Sequence, residues 1–234
     1  MSGMRFPKKY ISFLLYVCLA FFVSECSRHS ATQTRPKPVK TKASALWSLN
    51  NSRIKQFRKR YASGKYVQTC LLRAKQQGHL KYIHRVFYKN KLPPELSLLP
   101  ILESCFDPKA DSGHARGLWQ FTKATAKDYR LKIGWFSDDR LNWKKSTHAA
   151  AKYLAILGKR FDRDWALALV SYNGGPGYIS RQMKRQRTRS FWKLKLRQES
   201  YEYVPKFVAM LQIARRKYPD LYYQGGPRAW KNRG

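Results

Sequence analysis

The 234-residue chain predicts a mostly α-helical domain, and three observations carry that expectation. Apolar residues recur at helical spacing from Leu46 to Tyr218. Proline and glycine punctuate the pattern where helices open or close. No stretch reads convincingly as a strand, and no segment repeats another. Hydrophobic residues at 43% and aromatics at 15% supply a core and argue against global disorder.

At the N-terminus, "MSGMRFPKKY" is basic, and "ISFLLYVCLAFFV" comes next as a run of 13 uncharged residues. A membrane-spanning helix needs roughly 20 apolar residues, so residues 1–25 read as an export signal rather than a span or a core helix. "FVSEC" puts Cys26 where a lipoprotein signal puts its lipid-bearing cysteine. Val23 and Ser24 fit such a box and Glu25 fits poorly, so plain cleavage and a retained anchor stay open. Residues 26–45 are polar, basic and proline-containing, and read as a flexible tether.

A helical domain is expected over 46–218. In "HLKYIHRVFYKNKL" (79–92) apolar residues fall at 80, 83, 86 and 87, which is helix spacing. Pro94 suits the first turn of a further helix with Glu95 near its positive end, and Pro100 is expected to kink or interrupt that helix. "STHAAAKYLAILGKRF" (146–161) reads as a helix capped by Ser146. "DWALALVSYN" (164–173), capped by Asp164, is apolar nearly all round and predicts a central buried helix that "GGPG" stops. Residues 199–218 predict a last helix, interrupted or bent near Pro205. The tail, 219–234, has too little pattern to assign.

Charge and cysteine usage bound the partners. Forty-eight bases against 13 acids give +35, and +33 if residues 1–25 are removed. Such a chain attracts polyanions: nucleic acid, anionic lipid or an acidic wall polymer. Export disfavours nucleic acid, and the bases form no nucleic-acid motif. Past the signal and Cys26, the cysteines are Cys70 and Cys105. An oxidising compartment permits a bridge between them, but separate buried thiols are the expectation, since spacing alone does not bring them into range. His79 and His84 are five apart, off one helix face, and no metal site is read.

One acid stands out. "LSLLPILESCFD" (96–107) sets Glu103 in an almost unbroken apolar run. Burial raises a carboxyl pKa, and a carboxylic acid that keeps its proton near neutrality is a general acid suited to glycoside cleavage. The bland alternative turns Glu103 outward or pairs it with a base.

Further motifs decide between these. "GLWQF" (117–121), "SYNGGPG" (171–177) and "YEYVP" (201–205) come after "LPPELSLLPILES" in order. Together they resemble the lytic transglycosylase domain of the lysozyme-like superfamily, over about residues 80–215. The resemblance implies a lysozyme-like helical fold with a substrate cleft and no cofactor. It implies cleavage of the peptidoglycan bond between N-acetylmuramic acid and N-acetylglucosamine, leaving 1,6-anhydro ends. Glu103 matches the catalytic acid/base, and Ser104, Gln120, Tyr172, Asn173 and Tyr203 match sugar-holding positions. Glu199 matches a recurrent acid read as structural, and Trp119 and Phe121 read as core. An exported, periplasmic protein held to the envelope membrane through Cys26 is the expected setting.

Departures from the family pattern lie near the cleft rim. "ADSGHARG" is one residue short, His114 stands where glycine is common, Lys123 replaces a proline and Ser171 an alanine. Two rivals remain. A hydrolytic muramidase needs a second carboxylate, for which Asp107, Asp111 and Asp128 are candidates by proximity in sequence. A non-catalytic wall-binding envelope protein would keep the cleft without turnover.

Overall fold

A computed structural model describes residues 46–222. The signal, Cys26, the tether and residues 223–234 lie outside the described residues. The chain runs through helices α1 (Ser52–Arg60), α2 (Lys65–Gln76) and α3 (His79–Lys89), then a 3-10 turn (Pro94–Leu98) and α4 (Pro100–Glu103). A minimal hairpin comes next, β1 (Ala115–Arg116) and β2 (Phe121–Thr122), then α5 (Lys123–Asp128). Helices α6 (Trp143–Arg160), α7 (Trp165–Gly174), α8 (Pro176–Arg185), α9 (Gln198–Lys217) and α10 (Pro219–Tyr222) complete the order.

Helix α7 is the axis of the fold. Asp164 caps it by accepting from the amides of Ala166 and Leu167. Trp165 through Ser171 are all buried, because α6, α8 and α9 pack around it. Helix α9 lies against both α7 and α1, and so ties the two ends of the domain together. No helix among the described residues is long and apolar enough to cross a membrane.

Four expectations need correction. Helix α6 begins at Trp143, with Asn142 as its cap accepting from Lys145 N at 3.1 Å. Ser146 sits buried inside it, since asparagine one turn earlier caps equally well. Of the interruption or bend expected near Pro205, the interruption does not occur, since helix α9 runs through this buried proline as one element. The proline removes only one amide, whose acceptor would be the carbonyl of Tyr201, itself at an exposed position. Strands do exist, pairing Ala115 with Thr122 and Arg116 with Phe121. Two residues are too few to show an alternating pattern.

The fourth correction is the pair of cysteines. Cys70 on α2 and Cys105 just past α4 are disulfide-bonded, with Cα atoms 4.7 Å apart. Packing of α2 against α4 creates this proximity, which no linear spacing encodes. The bridge closes a loop of sequence separation 35. Replacing both cysteines by serine is expected to lower the unfolding free energy by about 3 to 4 kcal/mol on the chain-entropy argument, read by urea denaturation.

Candidate active site

Glu103 is the last residue of α4, where the chain must turn sharply. Cys105 and Phe106 take left-handed conformations at φ 51° and 58°. The amides of Ser104 and Phe106 both donate to the carbonyl of Pro100, at 3.0 and 3.2 Å. Two adjacent non-glycine residues in that region carry a conformational cost. Full burial of Phe106 and the disulfide at Cys105 hold the turn in place. The strain therefore sits directly behind the glutamate and fixes its exit from the helix.

Glu103 is half-buried as a residue, with its carboxyl end facing inward to meet α9. The Tyr203 hydroxyl, 100 residues further on, donates to its Oε1. Burial pushes the Glu103 pKa up from an ordinary 4.5 to about 7; the Tyr203 hydrogen bond opposes the rise and the charge of Glu199 adds to it. Tyr172 and Tyr203 are raised well above 10, first by burial and then by the neighbouring Glu103 charge. Both phenols therefore remain donors across the neutral range.

Two hydroxyls clamp the next wall of the site. Ser104 Oγ donates to Leu118 O at 2.8 Å, and the Tyr172 hydroxyl donates to Trp119 O at 2.7 Å. They pin the loop that carries Gln120 against the base of Glu103. Trp119 is wholly buried, stacks on Phe87 and donates through Nε1 to Thr147 Oγ1 at 2.9 Å. It belongs to the core, as does Phe121.

Gln120 is strained at φ 48°. Its Nε2 donates to Gly117 O at 2.9 Å and to Ala110 O at 3.2 Å. The donor half of the amide is thus committed to backbone, leaving Oε1 as the group suited to accept a ligand N–H. Asn173, at the end of α7, is tied at both ends of its amide. Its Nδ2 donates to Glu199 Oε1 at 2.7 Å, and its Oδ1 accepts from Ser200 Oγ at 3.1 Å. These bonds fasten α7 to the start of α9 and orient the amide, whose second N–H and second lone pair are left for the expected sugar contact.

None of the acids named by proximity in sequence is among the charges that act on Glu103. Asp111 pairs with Arg116 at 2.7 Å, the Asp107 carboxylate accepts from Lys109 N at 2.9 Å, and Asp128 is exposed on α5. Glu199, read from sequence as structural, is the acid whose charge reaches Glu103. Its signal in the sequence was weak, because 96 residues separate the two and only the packing of α9 closes the gap.

Sequence reasoning missed the support beneath Gln120. Gly117 has φ 80°, and a Cβ there would lie 1.9 Å from the carbonyl oxygen of Arg140. Arg140 is buried, pairs with Asp138 at 2.6 Å and donates to Phe121 O at 3.3 Å. The signal available was the glycine at the head of "GLWQF", whose reason is close backbone approach. Among the described residues no three histidine, cysteine or acidic side chains group as a metal site. His79 is buried against Trp143 and Phe106, and burial drives its pKa down to about 4, so it is a neutral core residue.

Comparison with known proteins supplies the family. Residues 83–195 match the family described as Transglycosylase SLT domain. The chain is 38% identical over 169 residues to membrane-bound lytic murein transglycosylase D of Escherichia coli K12. That alignment covers 70% of this chain and 37% of the relative, so the chain spans little more than a third of the relative's length. It is also 47% identical over 79 residues to peptidoglycan transglycosylase gp16 of Escherichia phage T7, covering 33% of this chain and 6% of that protein.

The raised pKa has a thermodynamic consequence. Between pH 4.5 and about 7 the folded protein holds a proton on Glu103 that the unfolded chain has released. Protons bound in excess by the folded state make stability fall as pH rises through that window. Glu103→Gln removes the cost. It is expected to be more stable than wild type by up to about 3 kcal/mol above pH 7, with the gap closing below pH 4.5, read by chemical denaturation at pH 4 and pH 8.

Proposed function

We propose that this chain, whose residues 83–195 form a transglycosylase SLT domain of lysozyme-like fold, is a peptidoglycan lytic transglycosylase. The observation that carries the reading is the buried carboxyl of Glu103, poised near neutrality and bonded to Tyr203. Protonated Glu103 donates its proton to the oxygen linking N-acetylmuramic acid to N-acetylglucosamine, and the bond from C1 to that oxygen breaks. The resulting carboxylate then removes the proton of the muramic C6 hydroxyl, whose oxygen closes on C1. Glu103 ends protonated, a 1,6-anhydro ring has formed, and no water is consumed. One carboxylate suffices because the sugar supplies its own nucleophile, where ordinary glycosidases use two.

The surrounding groups support each stage. Tyr203, a phenol that stays protonated, steadies the carboxylate between the two transfers. Tyr172 and Ser104 hold the wall on which Gln120 is mounted, and Gln120 Oε1 is suited to an acetamido N–H. Asn173 keeps one N–H and one lone pair for the sugar while its bonds to Glu199 and Ser200 orient the amide.

A hydrolytic muramidase is the second reading, and Glu199 favours it as the acid whose charge reaches Glu103. Digestion of purified wall separates the two by product mass: anhydro-muramic ends for the transglycosylase, reducing ends for the hydrolase. Glu103→Gln is expected to lower the rate by about two to four orders of magnitude while glycan binding persists. A wild-type rate in that variant overturns the assignment of acid and base, and absence of turnover by the wild type itself leaves the non-catalytic wall-binding protein. The rate is further expected to fall as pH rises above about 7, where Glu103 loses its proton.

We place the working domain at 46–218 and the protein outside the cytoplasm, anchored by lipid on Cys26 after removal of residues 1–25. The Cys70–Cys105 bridge supports an oxidising compartment. Its strong positive charge favours retention on anionic envelope polymers rather than nucleic acid. Retention on isolated wall is expected to weaken as salt is raised from about 0.01 to 1 M, read by co-sedimentation.

A further inference from the structure

Most apolar side chains of the domain are inside, and two at one place are almost wholly outside. Trp135 and Phe136 are 96% and 98% exposed, adjacent at the tip of the loop between α5 and α6. The loop is built, not loose. Gly134 N donates to Ser137 O at 2.8 Å, Ile133 bridges Asp138, and Asp139 N donates to Lys132 O at 2.8 Å. Three successive rungs hold the two rings away from the body of the protein. An isolated exposed ring needs no explanation, but two neighbouring rings on a braced tip do.

The charges around the tip choose an occupant. Asp138 is taken up by Arg140 and Arg116, and Asp139 by Lys145 and by the amide of Lys132. Lys127, Arg130 and Lys132 are exposed on the segment leading to the tip. The tip thus presents two bare aromatic rings above a net basic collar: Asp138 and Asp139 are matched, and exposed Asp128 offsets one of the three cations. A sugar chain is gripped between side chains, whereas these two rings are bare on nearly every side. Aromatic rings at the headgroup level, with cations beside anionic headgroups, are the chemistry of a bilayer interface. The geometry points to Trp135 and Phe136 as a membrane-docking tip that enters the interface of an anionic lipid bilayer, with Lys127, Arg130 and Lys132 against the headgroups.

The reading is independent of the chemistry at Glu103. Its test must report on the tip alone, because the apolar stretch at 11–23 has its own affinity for lipid. The full chain and its Trp135→Phe variant are mixed with phosphatidylglycerol vesicles carrying brominated acyl chains, and tryptophan emission is followed. Wild type is expected to lose a component of emission that the variant lacks, and vesicles of phosphatidylcholine alone are expected to abolish most of that difference. A Trp135→Ser, Phe136→Ser double variant is expected to keep its thermal midpoint and its wall-digesting rate. Equal quenching of wild type and Trp135→Phe overturns the proposal. Shielding of Trp135 from acrylamide by lipid-free glycan strands, without quenching by the brominated vesicles, also overturns it and makes the tip a sugar contact.

Discussion

A single carboxyl group withdrawn from water organises this domain. An acid is easily exposed and costly to bury, and the fold accepts that cost at Glu103. The surrounding arrangement reflects the need to hold one protonatable oxygen in a fixed place. The end of α4 delivers the group, the left-handed turn behind it sets its direction, and α9 brings a phenol to it from across the molecule. The Leu118–Trp119 carbonyls, held by Ser104 and Tyr172, supply the facing wall.

Polar groups near this carboxyl work mostly on the protein itself. The Gln120 nitrogen, the Asn173 amide and the Ser104 hydroxyl each spend a hydrogen bond on backbone or on a neighbouring helix. A pocket held in this way loses little freedom when a ligand enters, and that preorganisation is what electrostatic catalysis requires. Glu199 has two effects at once. It anchors Asn173 by a hydrogen bond, and its negative charge helps keep the proton on Glu103.

The helical class, the buried α7 with its Asp164 cap and the break at Pro100 were legible, because each is a local pattern of period, cap or missing amide. Glu103 was legible as an anomaly of polarity, and the ordered motifs named its neighbours. What stayed hidden depends on which helices meet. The Cys70–Cys105 bridge, the reach of Tyr203 and the field of Glu199 arise from α2 against α4 and from α9 across the site. Ser146 misled because serine is a good cap wherever it stands, and Asn142 had already started the helix. The hairpin escaped because its strands are held by Arg140 and the Arg116 ion pairs rather than by length.

The missing side chain at Gly117 reaches further than its own turn. With the Arg140 carbonyl against its Cα, the Gln120 loop and the 131–140 loop touch backbone to backbone, with nothing compressible between them. A side chain added at Gly117 would therefore push on two structures at once, the turn that mounts the Gln120 amide and the loop that ends in the aromatic tip.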